Sequence, residues 1–417
     1  MTMQEVSRYA IGLDVGTTTV RVVVGHVDTP GQAPTIIGVG EHGNSGMRKG
    51  TVVNLVNTAQ AIDKALEAAE RMSGHPIHEA TVSINGSHIV GMSSQGVIAV
   101  GTGGHEVNDD DLARVEEAAT VVQLPANREI LQVTPRSYQL DGQENIKDPL
   151  GMTGVRLEVD AHVITALGPH LKNLQKACEM TETAAHHTVL AGLAAARAVV
   201  SDQQMENGVA LIDLGGTTTN IAVFEEGDLQ HVAVLPVGSV NITNDLAIGL
   251  KTDLDIAEQV KLQHASAGGE HKEGKLTVKM DKSAHDFDAT EVDEIVEARL
   301  EEIFELINKE LKSIGRAAKL PGGVVLTGGG AEMKGIADYA REALQLSARV
   351  GKASGLGGVA EQVSTPRFAT AVGLMLIDLE GATPVQRMQS NGSGADLGNL
   401  TQGILQRAKG LFGKFKS

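Results

Sequence analysis

Two stretches with the same layout decide the fold: IGLDVGTTTVRVVVG at residues 11–25 and ALIDLGGTTTNIAVF at residues 210–224. Each has an apolar run that contains an aspartate near its end, then one or two glycines, three threonines and a second apolar run. The apolar runs predict β-strands, and the Gly-Thr segment between them predicts a tight turn. Asp14 and Asp213 lie 199 residues apart, which is far too long for a solenoid repeat. The repeat therefore predicts two large halves that open with the same β-hairpin.

The residue types of this hairpin suit a phosphate group and a divalent cation. Glycine lacks a Cβ atom, so backbone N–H groups can approach an anion closely, and threonine hydroxyls add further donors. An aspartate at the end of a strand can hold Mg²⁺ through water, because Mg²⁺ prefers oxygen ligands and keeps several waters. Two ordinary hairpins with permissive turns are the alternative. The matched aspartates and threonines of the two copies favour a clamp around a triphosphate.

A third glycine-rich segment, VVLTGGGAEMKGI at residues 324–336, reads as a strand, three glycines and a helix. Its glycines would let a flat base and a ribose lie against the backbone, and a helix N-terminus favours an anion. Many α/β folds turn with glycine at such a place, so this segment supports a nucleotide site only in combination with the two hairpins.

Composition limits the class of protein. The chain has 417 residues, more than one hydrophobic core usually serves, so we expect two or more domains. Its formal net charge of −17 argues against general nucleic-acid binding, which needs a basic face. Cys178 is the only cysteine, which fits a reducing compartment, and its helical surroundings predict a packed side chain. The sequence lacks a signal peptide pattern and a stretch of about 18 apolar residues, so we expect no membrane-spanning helix.

Periodicity predicts the main helices and strands between these motifs. Strands are expected at 80–85, 130–140 and 155–167, and helices at 55–72, 109–122, 171–180, 190–200, 241–250, 254–264 and 290–313. Two further helices are expected from residue 333 and over 367–379. Residues 381–397 are rich in small polar residues and predict a flexible linker. The scattered histidines, including His186 and His187, have no metal-ligand context, so no structural metal is expected.

The segment LTQGILQRAKGLFGKFKS at residues 400–417 carries four basic residues and no acid. At 100° per residue its apolar side chains share an arc of about 140° and its cations flank both edges, which is typical of an interfacial membrane helix. The predicted membrane-facing residues are Leu400, Ile404, Leu405, Arg407, Lys409, Leu411, Phe412, Lys414, Phe415 and Lys416. A terminal helix that docks on the protein itself or on a partner is the alternative. An acidic body, a flexible linker and cations at the edges favour an anionic membrane surface.

The order of these motifs resembles the actin-like ATPase superfamily, and within it the FtsA family of cell-division proteins over nearly the whole chain. The most specific stretch is QVTPRSYQLDGQENIKDPLGMTGVRLEVDAHVIT at residues 132–165, which resembles subdomain 1C of that family. The resemblance implies an α/β, actin-like fold of two ribonuclease-H-like halves around a nucleotide cleft. The implied divisions are subdomain 1A (1–81, 164–200 and 366–380), SHS2-like subdomain 1C (82–163), subdomain 2A (201–240 and 320–365), subdomain 2B (241–319), a linker (381–397) and an amphipathic helix (398–417).

The resemblance also implies ATP or ADP with Mg²⁺ in the cleft. Asp14 and Asp213 would organise the metal, mostly through water. The implied nucleotide- and phosphate-binding residues are Gly16, Thr17, Thr18, Thr19, Gly215, Gly216, Thr217, Thr218, Glu258, Lys261, Gly328, Gly329 and Gly330. From the residues alone, Glu258 and Lys261 read as an exposed i,i+3 ion pair.

The chain departs from the family pattern at three places. Thr19 stands where the family often has a lysine, and Arg21, two residues on along the same strand face, is a candidate substitute. Asn220 stands where an acid is usual, and Ala191 stands about where MreB-type proteins carry a catalytic glutamate. Because an amide and a methyl group cannot act as a general base, we expect ATP binding with slow hydrolysis.

The implied function is a polymerising adaptor that tethers FtsZ filaments to the membrane and recruits later division proteins. The C-terminal peptide of FtsZ would dock on subdomain 2B, where Arg299 matches a basic residue of the family's site, and filaments would form through subdomains 1C and 2B. An intrahelical ion pair is the alternative role for Arg299. The competing functions are a PilM-like pilus adaptor, a sugar-kinase-like phosphotransferase and, disfavoured by the 1C stretch, an MreB-like shape protein.

Overall fold

The computed structural model describes residues 8–28, 32–101, 103–121, 124–268, 274–280 and 283–381. The predicted linker after residue 381 and the predicted amphipathic helix at 398–417, with all its membrane-facing residues, lie outside these ranges. No helix within the described ranges is long and apolar enough to cross a bilayer.

The described residues alternate between strands and helices. The strands are β1 (Arg8–Val15), β2 (Thr19–Val27), β3 (Thr35–Gly43), β4 (Met47–Arg48), β5 (Thr51–Val52), β6 (Glu79–Ile84), β7 (Val90–Ala99), β8 (Arg128–Leu140), β9 (Gln143–Ile146), β10 (Arg156–Leu167), β11 (Ala184–Leu190), β12 (Val209–Leu214), β13 (Thr219–Glu225), β14 (Asp228–Leu235), β15 (Lys275–Met280), β16 (Ser283–Asp288), β17 (Val324–Thr327), β18 (Ala348–Val350) and β19 (Gly357–Gly358). The α-helices are α1 (Leu55–Ser73), α2 (Asp109–Thr120), α3 (Gly168–Glu179), α4 (Ala191–Val199), α5 (Asp202–Asn207), α6 (Ser239–Gly249), α7 (Leu254–His264), α8 (Ala289–Ser313), α9 (Ile336–Leu344), α10 (Ala360–Val363) and α11 (Ala369–Glu380).

Two of the sheets repeat one topology. The first has the order β11-β6-β1-β2-β3-β19, and the second has the order β14-β13-β12-β17-β18. In each, three antiparallel strands continue into strands parallel to the first of them: β6 runs parallel to β1 and β17 parallel to β12. The repeat of the hairpins therefore extends to whole sheets, which confirms the predicted α/β fold of two like halves. We call the parts built on these sheets the first half and the second half.

A third sheet, with the order β7-β10-β8-β9, is inserted in the first half, and α2 packs against it. Its strands and α2 enclose a core of their own, formed by Val100, Val115, Leu157 and Val159 among others. α2 begins with a capping box in which Asn108 and Asp111 satisfy each other's backbone N–H groups. We call this unit the inserted sheet; it contains the stretch that resembles subdomain 1C.

The sheets refine the predicted divisions of the chain. The expected boundary at residue 82 falls inside β6, which pairs with β1 in the first half. The expected boundary at residue 366 gives β19 to the second half, but β19 pairs with β3 and belongs to the first. Val363 joins the same first-half core as Ala10 and Val23. The chain therefore returns to the first half before residue 357. The sequence does not reveal this return, because a two-residue strand is too short to show a periodic pattern.

The second half carries an additional helical group, α6, α7 and α8, with the hairpin β15–β16. α8 turns an apolar stripe inward, with Val292, Val296, Leu300 and Ile303 buried at helical spacing. Asp288 caps this helix by accepting from the N–H groups of Thr290 and Glu291. Its buried side chains join the same core as those of β12, β13 and β17.

The helical predictions are mostly confirmed, with one correction. α7 and α8 occupy the expected ranges to within a residue. The helix expected from residue 333 begins only at Ile336, because a 3₁₀ turn at Gly329–Glu332 and the left-handed Gly335 (φ 81°) precede it. Cys178 is buried in α3, and burial raises the pKa of its thiol to about 12, which confirms the expected packed side chain.

α4 and α11 cross at the junction of the halves with unusually close backbones. A Cβ atom on Gly373 would lie 1.6 Å from the carbonyl oxygen of Ala194, and one on Gly12 would lie 2.0 Å from that of Ala371. The C-terminal end of α11 is fastened by Asp378, which accepts hydrogen bonds from the Ile11 N–H (2.9 Å) and the Thr81 hydroxyl (2.8 Å). α11 is therefore held against both β1 and α4 over its whole length.

We predict that Gly373→Ala destabilises the protein although alanine is the better helix former. The added methyl group meets the Ala194 carbonyl with no room to move, and overpacking of this kind costs about 3 kcal/mol of the free energy of unfolding. The measurement is the urea midpoint. Gly43→Ala is the matched control, since its Cβ would meet nothing within 4 Å. Equal midpoints for the two variants would contradict this account of the crossing.

Candidate functional site

The two hairpins place their aspartates at equivalent positions. In the first, Asp14 lies opposite Arg21 and the turn spans residues 16–18. In the second, Asp213 lies opposite Asn220 and the turn spans residues 215–218. We call these segments turn 1 and turn 2. The two hairpins match in register as well as in sequence. Each aspartate therefore has the same position relative to its turn, one residue before the end of its strand.

Turn 1 and turn 2 face each other across a cleft between the halves. A Cβ atom on Gly216 would lie 2.7 Å from Thr18 Cγ2, so glycine is required for the turns to approach this closely. The Asn85 side-chain amide, from the end of β6, donates to Thr218 Oγ1 at 3.1 Å and bridges the two halves. The halves therefore meet through their turns at one end of the cleft.

The cleft encloses a cavity of about 1040 Å³, large enough for a nucleotide. All but one of the residues predicted to bind nucleotide or metal line it: Asp14, Gly16, Thr17, Thr18, Thr19, Asp213, Gly215, Gly216, Thr218, Glu258, Lys261, Gly328, Gly329 and Gly330. Thr217 is the exception; its hydroxyl is buried in turn 2 without a hydrogen-bond partner in the described part of the chain. The structure thus brings together residues from three distant motifs, and their assignment to a nucleotide stays a prediction.

The two aspartates are desolvated and repel each other. Burial raises the pKa of Asp14 above its ordinary value, and both the nearby Arg21 and the Ser83 hydroxyl, which donates to Asp14 Oδ1 at 2.8 Å, oppose that rise. Burial, together with the charge of Asp14, raises the pKa of Asp213 to about 6. The Asn220 amide donates to Asp213 Oδ2 at 2.9 Å and works against this shift. Two ionised carboxylates so placed fit a divalent cation, which would relieve their repulsion.

The polar atoms left without partners also fit a cation with an anionic ligand. Besides the Thr217 hydroxyl, Asn220 Oδ1 is buried and has no donor within the described ranges. A hydroxyl of this kind can donate to a phosphate oxygen, and an amide oxygen can accept from a metal-bound water. The donor set therefore fits Mg²⁺ with a polyphosphate at the turns.

Part of the glycine-rich segment packs against Asp213, and part of it faces the open cavity. Gly328 has φ 82°, and a Cβ there would lie 2.3 Å from Asp213 Oδ1. Gly330 abuts Leu214, whereas a Cβ on Gly329 would meet nothing within 4 Å. Two of the three glycines are thus required by the second half's own packing, and only Gly329 presents an open backbone to the cavity.

Glu258 and Lys261 are not the exposed pair that their spacing alone suggests. Lys261 is 9% exposed, and its Nζ lies 2.7 Å from Glu258 Oε2 and 2.8 Å from Thr243 Oγ1. Their helix, α7, forms part of the cavity wall, where Lys261 Nζ also donates to the Ser239 carbonyl at 3.3 Å. The pair is therefore a fixed polar element of the cavity.

Several lining or supporting residues were not anticipated from the sequence. Asn44 donates to the Gly16 carbonyl at 2.9 Å, and the Gly50 N–H donates to Thr17 Oγ1 at 3.0 Å. Arg367, which pairs with Glu332, also lines the cavity. Asn44 and Gly50 lie in loops, where the sequence has no periodic pattern. The only sequence signal was that one residue is polar and the other is a glycine, and such residues are too common to predict a site.

Ala191 and Asn220, the two residues predicted to replace catalytic acids, lie at the cavity or next to it. Ala191, the first residue of α4, lines the cavity, and Asn220 is bound to Asp213. Glu41 and Glu332, the other carboxylates nearest the arginines of the cavity, are paired with Arg21 and Arg367.

Arg299 lies on α8, away from this cavity. Its guanidinium binds Asp245 on α6, with Nη2 3.0 Å from Oδ1, and also Glu302 one turn along its own helix. The intrahelical pair considered from the sequence is present, and a second pair joins two helices. A peptide-binding role for Arg299 stays a prediction.

Comparison with known proteins identifies relatives of the whole chain. The family described as "Cell division protein FtsA" matches residues 210–373, and "SHS2 domain inserted in FTSA" matches residues 86–165. The cell division protein FtsA of Pseudomonas aeruginosa is 35% identical over 403 residues, covering 96% of each chain. The FtsA proteins of Bacillus subtilis and Escherichia coli K12 are 39% and 31% identical, over 88% of this chain and 82% and 90% of theirs.

Solved structures show the same fold at low identity. A "PilM-PilN type IV pilus biogenesis complex" gives a TM-score of 0.64 at 16% identity, covering 88% of this chain and 97% of that one. MreB5 of Spiroplasma citri bound to ADP gives a TM-score of 0.55 at 13% identity, covering 92% and 99%. The fold is thus shared with actin-like proteins whose sequences have diverged widely.

We predict that Asp213→Asn stabilises the ligand-free protein at pH 7. Because the folded-state pKa of Asp213 is raised to about 6, the unfolded chain releases this proton first, so stability falls as pH rises from about 4 and the loss is complete above about 6. The variant removes this loss, on the order of 3 kcal/mol at pH 7, and flattens the pH profile. Urea unfolding at pH 5, 6 and 7 measures it. Asp63→Asn, on the exposed face of α1, is the control, and a uniform loss of stability in Asp213→Asn would contradict the account.

Proposed function

Because the chain belongs to the FtsA family of cell-division proteins, we propose that it is an ATP-binding, polymerising adaptor that anchors FtsZ filaments to the inner face of the cytoplasmic membrane. In this role it also recruits later division proteins. The observation that carries the nucleotide part is the pair of facing turns with two desolvated aspartates in one cavity.

ATP would lie with its phosphates between turn 1 and turn 2. Asp14 and Asp213 would hold Mg²⁺, mostly through water, and the bound metal would neutralise phosphate charge. Gly16, Thr17 and Gly216 would bind phosphate oxygens, together with the Thr217 hydroxyl, which has no hydrogen-bond partner within the described ranges. The adenosine would lie between the glycine-rich segment and α7, where Glu258 and Lys261 offer an acceptor and a donor. A structural neighbour described as bound to ADP supports a nucleotide in this cleft.

ATP would act as a conformational and assembly ligand rather than as a fuel. A general base must lie within hydrogen-bond reach of the attacking water, and Ala191 and Asn220 supply none. Binding energy shared between the two halves can instead favour the closed state that assembles into filaments. Hydrolysis, although slow, would then set the lifetime of a polymer.

Membrane attachment rests on the segment at residues 400–417. Its apolar arc can enter the lipid interface while Arg407, Lys409, Lys414 and Lys416 reach anionic headgroups, at about 1 kcal/mol for each basic residue near the surface. Binding of a single tail would be reversible, and many tails on one polymer would bind far more tightly.

The FtsZ contact would lie on the helical group of α6, α7 and α8. Arg299 is held there by Asp245 and Glu302, so an acidic peptide would have to compete with two existing ion pairs. Since Arg299 is partly exposed, such an exchange needs no unfolding. Self-association would use the inserted sheet and the same helical group.

A PilM-like pilus adaptor is the second candidate, favoured by the structural likeness to PilM. Such an adaptor would share the cleft and the inserted sheet but would not need the basic tail. A sugar-kinase-like phosphotransferase would show ATP turnover stimulated by a small hydroxyl substrate.

We predict that Ala191→Glu accelerates ATP hydrolysis. The wild-type chain should turn over ATP below about 0.01 s⁻¹, whereas a carboxylate at the start of α4 would face the cavity and activate water, raising the rate about tenfold or more. Single-turnover assays with radiolabelled ATP measure this. Ala191→Gln has the same size without basicity and should stay slow; an equal acceleration in both variants would refute the missing-base explanation.

We predict that the tail decides co-sedimentation with anionic vesicles. The full chain, mixed with ATP, FtsZ and phosphatidylglycerol vesicles, should bring FtsZ into the lipid pellet. A chain ending at residue 397 should leave FtsZ in solution, because it lacks the apolar face. The full-length variant Leu411→Asp keeps the four cations but interrupts that face, so it should also fail.

Uncharged vesicles supply the second control, and they should pellet much less of the full chain. If the shortened chain brings FtsZ down as well as the full chain, the tail is not the anchor. If FtsZ stays in solution with every version, the tethering function is wrong and the pilus and kinase alternatives return.

A further inference from the structure

Two β-bulges face each other where the inserted sheet meets the second half. In β8, Pro135 and Ser137 pair with consecutive residues of β10, so Arg136 between them is the extra residue of a bulge. In β14, Gln230 is extra in the same way, since its two neighbours pair with consecutive residues of β13. A bulge re-aims a side chain and leaves the extra residue out of its own ladder. The two bulges thus free Arg136 and Gln230 to contact each other.

Arg136 fastens this contact through its N–H donors. Its guanidinium donates to the carbonyl oxygens of Leu229, at 3.2 Å from Nε, and Gln230, and to His162 Nδ1 at 2.6 Å. Burial, followed by the charges of Arg136 and His231, lowers the pKa of His162 to about 3, so its imidazole stays neutral and can accept. Because β14 is the outer strand of its sheet, water can take the place of Arg136 when the contact opens.

Close packing and a second polar contact surround the two bulges. A Cβ atom on Gly91, near the start of β7, would lie 2.4 Å from His162 Nε2 and 2.7 Å from Val232 Cγ2, so glycine lets β7 approach β14. Lys147, just after β9, pairs with Asp228, the first residue of β14. The inserted sheet is therefore joined to β14 by one close packing contact and two polar contacts.

The same end of β14 also holds the C-terminal end of α8. His231, the residue after the bulge, has its Nε2 3.3 Å from Glu310 Oε2 on α8. Arg316, which follows α8, donates from Nε to Glu225 Oε2 at 2.8 Å, at the end of β13. We call residues 225–231 the hub. The hub contacts both the inserted sheet and α8.

We propose that the hub is a conformational relay between the inserted sheet and α8. Opening of the Arg136 contact loosens the C-terminal end of α8, and loosening of α8 opens the Arg136 contact. The two contacts lie on adjacent residues, Gln230 and His231, so a shift of the hub displaces both. Coupling of this kind is reciprocal, because it is one free energy shared between two sites.

α8 carries the effect to the rest of the helical group. Glu310 lies 11 residues from Arg299, about 16 Å along the helix. Ile307 and Leu311, on either side of Glu310, are fully buried, so the end of the helix moves together with its core contacts. The relay goes beyond the proposed function and requires neither nucleotide nor FtsZ, since every contact in it lies within the chain.

Hydrogen–deuterium exchange of the full chain at pH 7, followed by mass spectrometry, measures the relay. Arg136→Met keeps an aliphatic side chain but removes the donors, so it should speed exchange at residues 228–232 about tenfold or more. The relay predicts a second acceleration, of about threefold or more, at residues 306–313 of α8. Arg114→Gln is the matched control, because this arginine packs on the same inserted sheet but binds Asp111 of its own helix. It should change neither segment.

Substitution at the other end tests reciprocity. Arg316→Gln removes the tie to Glu225 and should speed exchange at residues 132–138 of β8, whereas Lys312→Gln, at an exposed position of α8, should not. In the Arg136→Met background, Arg316→Gln should add at most about a twofold acceleration, because the first substitution has already loosened the hub. Independent contacts would instead give effects that multiply.

Two results would overturn the relay. One is an Arg136→Met variant in which residues 228–232 exchange faster while residues 306–313 are unchanged, since the hub would then join two parts without transmitting anything. The other is an acceleration spread evenly over the whole chain in both Arg136→Met and the milder Arg136→Lys, which keeps the charge but loses the forked geometry. That result would report a loss of overall stability. Either failure leaves the proposed function standing, because nucleotide and vesicle binding test it separately.

Discussion

The cavity between the two halves is built around two desolvated carboxylates that repel each other. Asp14 and Asp213 end equivalent strands in two halves that share one topology, and the halves bring them to the same cavity. Each is stabilised by one short-range donor, Ser83 or Asn220, and neither donor cancels the raised pKa. A cation bound between them would offset this repulsion, which is the basis of the proposed Mg²⁺ site. The turns, the glycines and the arginine around the pair line the same cavity.

The local parts of this site could be predicted from sequence, because their signals are short-range. The Gly-Thr turns, the apolar strands beside them and the period of α7 are contained in windows of about 15 residues. The contacts that complete the cavity join residues much farther apart in the sequence, so such windows do not contain them. Ser83 is 69 residues from Asp14, and Asn85 is 133 residues from Thr218. The burial of Lys261 likewise depends on Thr243 and Ser239, which a helical pattern on α7 alone does not reveal.

The inserted sheet belongs to the first half by sequence but touches the second half in space. Arg136 on β8 donates to the carbonyl oxygens of Leu229 and Gln230 at the start of β14, and its Nη2 lies 2.6 Å from His162 Nδ1. Lys147 pairs with Asp228 in the same region. A relative rotation of the halves would have to break these contacts or carry the inserted sheet with the second half. The orientation of the inserted sheet and the closure of the cleft are therefore coupled by geometry.

The crossing of α11 with α4 has a mechanical consequence. α11 is a rod about 18 Å long. Its first turn, at Thr370, lines the cavity, and its last residues precede the point where the described chain ends at residue 381. A tension applied beyond residue 381 would load this rod in shear along Gly12 and Ala194 rather than peel it away one turn at a time. Shear loads many contacts at once, so α11 would resist the pull and transmit it to its first turn, where Thr370 lines the cavity.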